Sequence, residues 1–148
     1  MLDPLLELDA IGDLADDVRR MFEELERAQP RCRGLTGEYS PELDVIETPE
    51  AYEIHVDLPG VGLESVRLCF KRGAVVIAGQ KLAPRAPGDA DARFHRVERE
   101  YGRFARAIRL PGAIDASRSR ASLRDGELLL KVPKILDRRE QEIVIPIE

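Results

Sequence analysis

Hydrophobic residues near the start of the chain recur at steps of three and four, which places their side chains on one face of an α-helix. This predicted stripe consists of Ile11, Leu14, Val18, Met21, Phe22 and Leu25, and further apolar residues precede it at Leu5, Leu6 and Leu8. Pro30 ends the predicted helix, and residues 31–40 have the glycines typical of a linker. Two interpretations follow: the helix packs on its own domain, or its stripe binds another protein.

From Pro41 onward the hydrophobic period changes to two, which is the period of a β-strand. Residues 52–58 alternate between apolar and polar and predict a half-buried strand that ends at Pro59-Gly60. Residues 66–70 alternate in the same way. Arg72-Gly73 then predicts a hairpin turn into the more continuously apolar residues 74–78.

Residues 81–93 are rich in Ala, Pro, Gly and Asp and predict a long loop, which in a compact domain is usually functional or disordered. Residues 104–110 alternate again. The segments 118–124 and 128–132 predict a hairpin joined by Asp125-Gly126. Seven or eight short strands without helices between them predict an all-β fold, an immunoglobulin-like β-sandwich.

The last residues differ from both earlier regions. Residues 134–142 are almost entirely polar, and Ile143, Ile145 and Ile147 then lie on one face of an extended strand. Because Pro146 removes a backbone donor, this strand is expected at an edge and is better suited to docking than to a core. The sequence thus predicts an arm and linker (1–40), a sandwich domain (41–133) and a C-terminal extension (134–148).

Composition narrows the possible functions. Of the 148 residues, 34% are charged and 43% hydrophobic, aromatics make up 5%, and Trp is absent. The low aromatic content argues against a stacking platform for single-stranded nucleic acid, and the net charge of -5 argues against non-specific nucleic-acid binding. No apolar run approaches about 20 residues, so no membrane span is predicted. The sequence also shows no signal peptide. Two cysteines far apart indicate reduced thiols, and a cytoplasmic protein is expected.

The charge is unevenly distributed. Residues 1–40 carry ten acidic residues and five Arg, whereas residues 41–148 carry eighteen acidic and eighteen basic residues. The whole net charge therefore belongs to the arm that also carries the apolar stripe. Acidic residues between the apolar ones would keep such an arm soluble.

Candidate catalytic chemistry is absent from the sequence. The two histidines, His55 and His95, lie in polar surroundings, and no Cys or His pair has the spacing of a metal site. Cys69 has no neighbouring base in sequence that would make it a nucleophile. We therefore expect no enzyme activity, no metal and no cofactor.

Four motifs occur in a specific order. They are VDLPGV at 56–61, EREYGRFARAIRLP at 98–111, ASLRDGEL at 121–128 and IPI at 145–147. Together they resemble the small heat-shock protein family and its α-crystallin domain, in the bacterial and plant form, over about residues 41–148. The resemblance implies an ATP-independent holdase that binds partly unfolded proteins and suppresses their aggregation. The arm residues Leu5, Leu6, Leu8, Ile11, Leu14, Val18, Met21, Phe22 and Leu25 are the candidate client-binding residues.

The resemblance also implies a homodimer formed by strand exchange, with further assembly into larger homo-oligomers through the arm and tail. The exchanged strand would be formed by Phe94, His95, Arg96 and Val97. Arg106 matches an interface arginine of the family and lies on the same strand face as Phe104 and Ile108, so an acidic partner is expected nearby. The alternative is a surface arginine whose stem covers apolar side chains.

The tail would dock in a groove between two strands, lined by Val66, Leu68, Phe70, Ala121 and Leu123. Either Ile143 with Ile145 or Ile145 with Ile147 has the required spacing, and docking on the same dimer or on another both remain open. A second hypothesis is a co-chaperone adaptor of the CS-domain type, which uses the same sandwich to bind one specific partner. Such adaptors generally lack the Ile-x-Ile tail and the exchanged loop, so the chaperone interpretation is favoured.

Overall fold

The computed structural model describes residues 15–28, 39–83 and 92–135. Within them, one helix, α1 (Ala15–Ala28), precedes seven strands. The strands are β1 (Leu43–Glu47), β2 (Ala51–Asp57), β3 (Val66–Lys71), β4 (Ala74–Lys81), β5 (Gly102–Arg109), β6 (Arg120–Arg124) and β7 (Glu127–Pro133). The predicted change from helical to strand periodicity is therefore confirmed.

The strands form two antiparallel sheets, one in the order β1-β2-β7-β6 and the other in the order β3-β4-β5. Apolar residues of the two sheets meet in a single buried core, which confirms the predicted β-sandwich. Its members are Tyr52, Ile54, Val56, Leu58, Val61, Val75, Ile77, Phe104, Ile108, Leu110, Leu128, Leu130 and Val132.

Both predicted hairpins are present. Arg72 and Gly73 have φ angles of 52° and 76°, and Asp125 and Gly126 have φ angles of 51° and 79°. Two consecutive positive φ angles characterise the two-residue turn whose twist matches that of the flanking strands. These turns fix the register of β3 on β4 and of β6 on β7.

Gly79 on β4 marks a close approach between two elements. A Cβ atom at this position would lie 2.4 Å from Cζ of Phe104 on β5 and 2.5 Å from the carbonyl oxygen of Ser65. The Phe104 side chain is only 2% exposed, so its ring occupies the space that a larger residue at position 79 would need. This glycine allows the Phe104 ring to enter the core.

Three elements differ from the sequence predictions. Strand β4 continues to Lys81, beyond the apolar residues 74–78 and into the start of the predicted loop. Strand β1 was not predicted, because it is short and mixes acidic with apolar residues. The segment expected to be a strand from residue 118 starts instead with a 3-10 turn, Ala116–Arg118, and the strand itself begins at Arg120. The carboxylate of Asp115 accepts a hydrogen bond from the Arg118 amide (3.3 Å) and so stabilises that turn.

Helix α1 packs on the outer face of the β3-β4-β5 sheet, away from the sandwich core. Its buried residues Val18 and Met21 join a second apolar cluster whose sheet members are Ala74, Val76, Ala78 and Ala107. Strand β4 is consequently buried along its whole length, since one face lies in the sandwich core and the other lies under the helix. Of the two interpretations of the apolar stripe, this structure shows the helix on its own domain.

Candidate functional site

An apolar groove opens between the two sheets, where β3 of one sheet faces β6 of the other. Its volume is about 220 Å³. Three predicted groove residues line it: Leu68 and Phe70 from β3, and Ala121 from β6. The other two, Val66 and Leu123, pack against the sandwich core as partly buried residues. Phe70 is 37% exposed, which leaves an aromatic ring at the surface beside the groove.

The remaining lining residues were not predicted for the groove. They are Cys69, Val75, Ala116, Ser119, Leu130 and Val132. Val75, Leu130 and Val132 are also members of the sandwich core, so the groove reaches down to the core itself. For Leu130 and Val132 the sequence does contain a signal, because the alternation of residues 128–132 places both side chains on one face of the strand. The side chains of Ile143, Ile145 and Ile147, the predicted occupants of the groove, lie outside the described residues.

A second surface lies along β1, an edge strand of its sheet among the described residues. The amide of Asp57 donates to the carbonyl of Glu42 (3.0 Å), which fixes the alternation of hydrogen-bonded pairs between β1 and β2. The backbone groups of Leu43, Val45 and Glu47 consequently point away from β2. Such groups can pair with a strand from another chain.

The surface beside β1 is acidic. A cavity of about 270 Å³ lies over the first strands of this sheet and is lined by Glu42, Leu43, Asp44, Ile46, His55, Asp57 and Glu127. The ring nitrogen Nδ1 of His55 lies 3.0 Å from a carboxylate oxygen of Glu127, so His55 has a carboxylate neighbour on the polar face where the sequence placed it. Glu42, Asp44 and Asp57 give the cavity a negative character that suits a basic segment.

The predicted exchange segment is exposed. Phe94 is 64% exposed and Val97 is 67% exposed, and residues 92–100 form no strand in the single chain. His95 and Arg96 between them are also exposed, and the Arg96 guanidinium lies 3.4 Å from the carboxylate of Glu98. The segment therefore presents two large apolar side chains and basic groups to its surroundings.

Arg106 lies on β5 opposite Ile77 of β4. Its guanidinium donates a hydrogen bond to the carbonyl oxygen of Pro41 (2.6 Å), and its side chain is half-buried between the core residues Phe104 and Ile108. The Pro41 carbonyl is thus one partner of Arg106, and the acidic partner expected from the sequence stays a prediction. This contact ties the start of the sandwich to β5.

A third surface is the contact between α1 and the β3-β4-β5 sheet. Val18 is 9% exposed, Met21 is 7% exposed and Phe22 is half-buried. The Met21 sulfur lies 3.7 Å from Sγ of Cys69, and the Arg103 guanidinium lies 5.4 Å from the centre of the Phe22 ring. Of the other predicted client-binding residues, the side chain of Leu25 and the whole of Leu5, Leu6, Leu8, Ile11 and Leu14 lie outside the described residues.

The surroundings of the helix–sheet contact shift the pKa values of Asp17 and Cys69. A hydrogen bond from Lys71 lowers the pKa of Asp17 on α1, and the positive charges of Arg20 and Arg72 add to that effect. Burial raises the pKa of the Cys69 thiol, and the negative charge of Asp17 contributes in the same direction. Cys69 is therefore a neutral thiol at pH 7, packed as a small apolar side chain rather than poised as a nucleophile.

Metal-binding clusters and membrane-spanning helices are absent from the described part of the chain. In residues 15–28, 39–83 and 92–135, no group of three or more His, Cys, Asp or Glu side chains is arranged to hold a metal ion. In the same part of the chain, no helix has the length and apolar character needed to cross a membrane. The features that stand out are therefore an apolar groove, an edge strand beside an acidic surface, and a helix held by an apolar contact.

This chain is similar to known proteins in sequence and in fold. Residues 44–148 match the model of the Hsp20/alpha crystallin family. The chain is 32% identical over 119 residues to heat shock protein 16 of Schizosaccharomyces pombe, which covers 80% of this chain and 83% of that protein. The solved structure of heat shock protein 16.0 from the same organism superimposes with a TM-score of 0.63 at 31% identity, covering 74% of this chain and 99% of that one.

A small heat-shock protein from Xylella fastidiosa, described as having a distinct high order structure, matches with a TM-score of 0.60 at 28% identity. That match covers 74% of this chain and 98% of the other. The family model and these relatives confirm the resemblance drawn from the four sequence motifs. The chain belongs to the Hsp20/alpha crystallin family, the family of the small heat-shock proteins.

Proposed function

We propose that this protein is an ATP-independent holdase of the cytoplasm, which binds partly unfolded proteins and keeps them from aggregating. Family membership supports a chaperone role. The observation that carries the finer proposal is the separation of the two apolar clusters. Among the described side chains, the sandwich core includes none from α1, and α1 packs on the outer sheet face and against the turn Leu63–Ser65.

This separation allows the helix to leave without opening the sandwich core. Val18, Met21 and Phe22 would then become available to apolar segments of an unfolding protein. Capture of such segments shifts the aggregation equilibrium by mass action and needs no nucleotide. In this proposal the client-binding arm comprises residues 1–40, the sandwich residues 41–133, and the C-terminal extension residues 134–148.

We further propose that two chains form a homodimer by exchanging the strand that contains Phe94, His95, Arg96 and Val97. The exposed apolar side chains of this segment and the outward backbone groups of β1 support the exchange. The acidic cavity beside β1 favours a basic segment over a neutral one, because complementary charges speed and orient association. Arg106 lies on β5 and contributes to the same dimer by holding the start of β1 in place through Pro41.

The C-terminal tail is proposed to dock in the groove between β3 and β6. Burial of two isoleucine side chains contributes roughly 3–6 kcal/mol before the cost of ordering the tail is subtracted. One tail is consequently a weak ligand, and stable larger homo-oligomers require several tails that act together. The apolar groove lining, which reaches the core residues Leu130 and Val132, supports this occupant.

The experiment that tests the holdase proposal is suppression of aggregation. An unrelated, heat-labile protein is warmed with an equal number of subunits of this protein, without ATP, and light scattering is followed. We expect scattering to fall by at least half, whereas undiminished scattering would exclude the proposal and favour the adaptor hypothesis.

A matched pair of variants tests the role of the helix. The triple variant V18S/M21S/F22S removes the apolar stripe and should lose most of the suppression. The control R19S/R20S/E23S changes three exposed residues of the same helix and should retain it. Equal activity of the two variants would place client binding elsewhere in the chain.

A further inference from the structure

Strand β4 contains one buried side-chain amide, that of Gln80. Gln80 is the penultimate residue of β4 and is only 2% exposed. Neither its amide oxygen nor its amide nitrogen has a hydrogen-bond partner within the part of the chain that the structure describes. A buried amide without partners destabilises the state that buries it, because the same group is fully hydrogen-bonded once water reaches it.

The alternation of β4 places Gln80 on the helix-covered face. Ala74, Val76 and Ala78 belong to the cluster that contains the helix residues, and Gln80 continues the same period of two. Its cross-strand neighbour is Arg103, whose guanidinium lies 5.4 Å from the centre of the Phe22 ring. Gln80 therefore lies at the end of the sheet face that α1 covers.

The rest of this face is well suited to a helix. Its side chains are small or β-branched, and Val76, Ala78 and Ala107 are 0% exposed, so the helix approaches the sheet closely. The ion pair of Asp17 with Lys71 fixes one side of the contact. The face thus combines close apolar packing, an ion pair at its border and one buried amide that opposes docking.

We propose that the outer face of the β3-β4-β5 sheet is a helix-binding surface that holds α1 reversibly, and that Gln80 is the residue that keeps this binding weak. Its ligand is α1 of this chain, an amphipathic helix that presents Val18 and Met21. When α1 leaves, water forms hydrogen bonds with the Gln80 amide. The free energy gained in this way offsets part of the cost of exposing the apolar surfaces of the sheet and the helix. As regulation of a client-binding helix, this weak binding rests on the proposed function. Docking of α1 on the sheet does not depend on whether the released helix binds clients.

Thiol labelling measures the release directly. In a protein that carries C32S and C69S, one cysteine is introduced by Val76→Cys on the helix-covered face and, in a separate protein, by Val56→Cys in the sandwich core. Both valines are 0% exposed, and the change from Val to Cys is the same at both positions. We expect position 76 to be alkylated at least tenfold faster than position 56, because release of α1 is easier than opening of the sandwich.

Gln80→Leu is then added to each probe. Loss of the unpaired amide should slow alkylation at position 76 at least fivefold and leave the rate at position 56 within twofold. The helix variant Val18→Ser gives the upper limit of the rate at position 76, and in its presence Gln80→Leu should have no effect. Circular dichroism of each variant verifies that the sandwich is folded.

Two results would overturn the proposal. Equal alkylation rates at positions 76 and 56 would mean that the helix leaves only when the whole domain unfolds. An unchanged rate at position 76 on Gln80→Leu, or an equal slowing at both positions, would mean that Gln80 does not set the strength of helix binding. Because no client is present, these outcomes are distinct from a failure of the holdase assay.

Discussion

The ammonium group of Lys71 on β3 lies 2.5 Å from a carboxylate oxygen of Asp17 on α1, so an ion pair joins the helix to the sheet that it covers. The Asp17 side chain is 13% exposed and the Lys71 side chain is 44% exposed. Arg20 and Arg72 add further positive charge around the carboxylate. The contact therefore includes one interaction that depends on the ionisation of Asp17.

Acid is expected to weaken helix docking. The pKa of Asp17 is lower in the docked state than its usual value near 4, so ionised Asp17 stabilises docking above that value. This stabilisation is lost as the pH falls through the lowered pKa. Hydrogen exchange, corrected for its intrinsic pH dependence, should show that Ala15–Ala28 opens faster, relative to β4, as the pH is lowered from about 5 to 3. The variant Asp17→Asn should lose most of this pH dependence. The control variant Asp16→Asn, which changes a neighbouring side chain that is 90% exposed, should keep it. An unaltered pH profile for Asp17→Asn would contradict the prediction.

Truncation after Glu142 is expected to lower the oligomer mass if tails join dimers, because it removes all three isoleucines that the groove would bind. Ala121→Glu should have the same effect, since it places a charge in the apolar groove. Ser122→Glu is the matched control, because alternation directs this exposed residue away from the groove. Light scattering with in-line size exclusion measures the mass. An unchanged mass in the truncated protein would mean that the tail docks on its own dimer or does not dock.

Deletion of residues 82–97 is expected to give monomers, because it removes the segment proposed to cross to the partner. A variant that keeps the loop length but replaces residues 94–97 with Gly and Ser separates loss of the strand from shortening of the loop. Val45→Pro on β1 should also weaken the dimer, since it removes an outward backbone donor while leaving the pairs with β2 intact. Sedimentation velocity measures the association, and dimers that persist after the deletion would refute strand exchange.

Gly79→Ala is expected to destabilise the sandwich by about 1–3 kcal/mol, the usual cost of forcing extra volume into a packed core. The added methyl group would meet the Phe104 ring and the Ser65 carbonyl. The midpoint of urea unfolding measures the loss, and Phe104→Leu should lessen the effect of Gly79→Ala when the two are combined. A midpoint equal to that of the parent protein would show that the ring moves aside freely.

Much of the fold follows from local sequence signals. The hairpin turns at Arg72-Gly73 and Asp125-Gly126 were predictable because positive φ angles require particular residues. Strand β1 was not, because a short edge strand buries little and its acidic residues obscure the period of two. The turn Ala116–Arg118 was also missed, since its stability depends on a hydrogen bond to Asp115 that hydrophobic patterning does not reveal.

The surfaces were predictable only where one strand face determines them. The family resemblance predicts Leu68, Phe70 and Ala121 for the groove, and these three residues line it. The residues of its floor come from β4 and β7, which approach only after the two sheets pack. Docking of α1 had a partial signal in the continuously apolar residues 74–78, since such a run is typical of a strand buried on both faces. Its partner could not be identified from sequence, because the contact joins elements about fifty residues apart.

Because β4 is buried on both faces, adjacent residues of this strand pack in different clusters. Ile77 packs in the sandwich core and Val76 packs under α1, although each is 0% exposed and they are neighbours in the chain. We therefore expect a change at Ile77 to destabilise the sandwich, and a change at Val76 to shift the proposed release of α1. If α1 is released as proposed, substitutions at alternate positions of this one strand change the temperature of release without destabilising the sandwich.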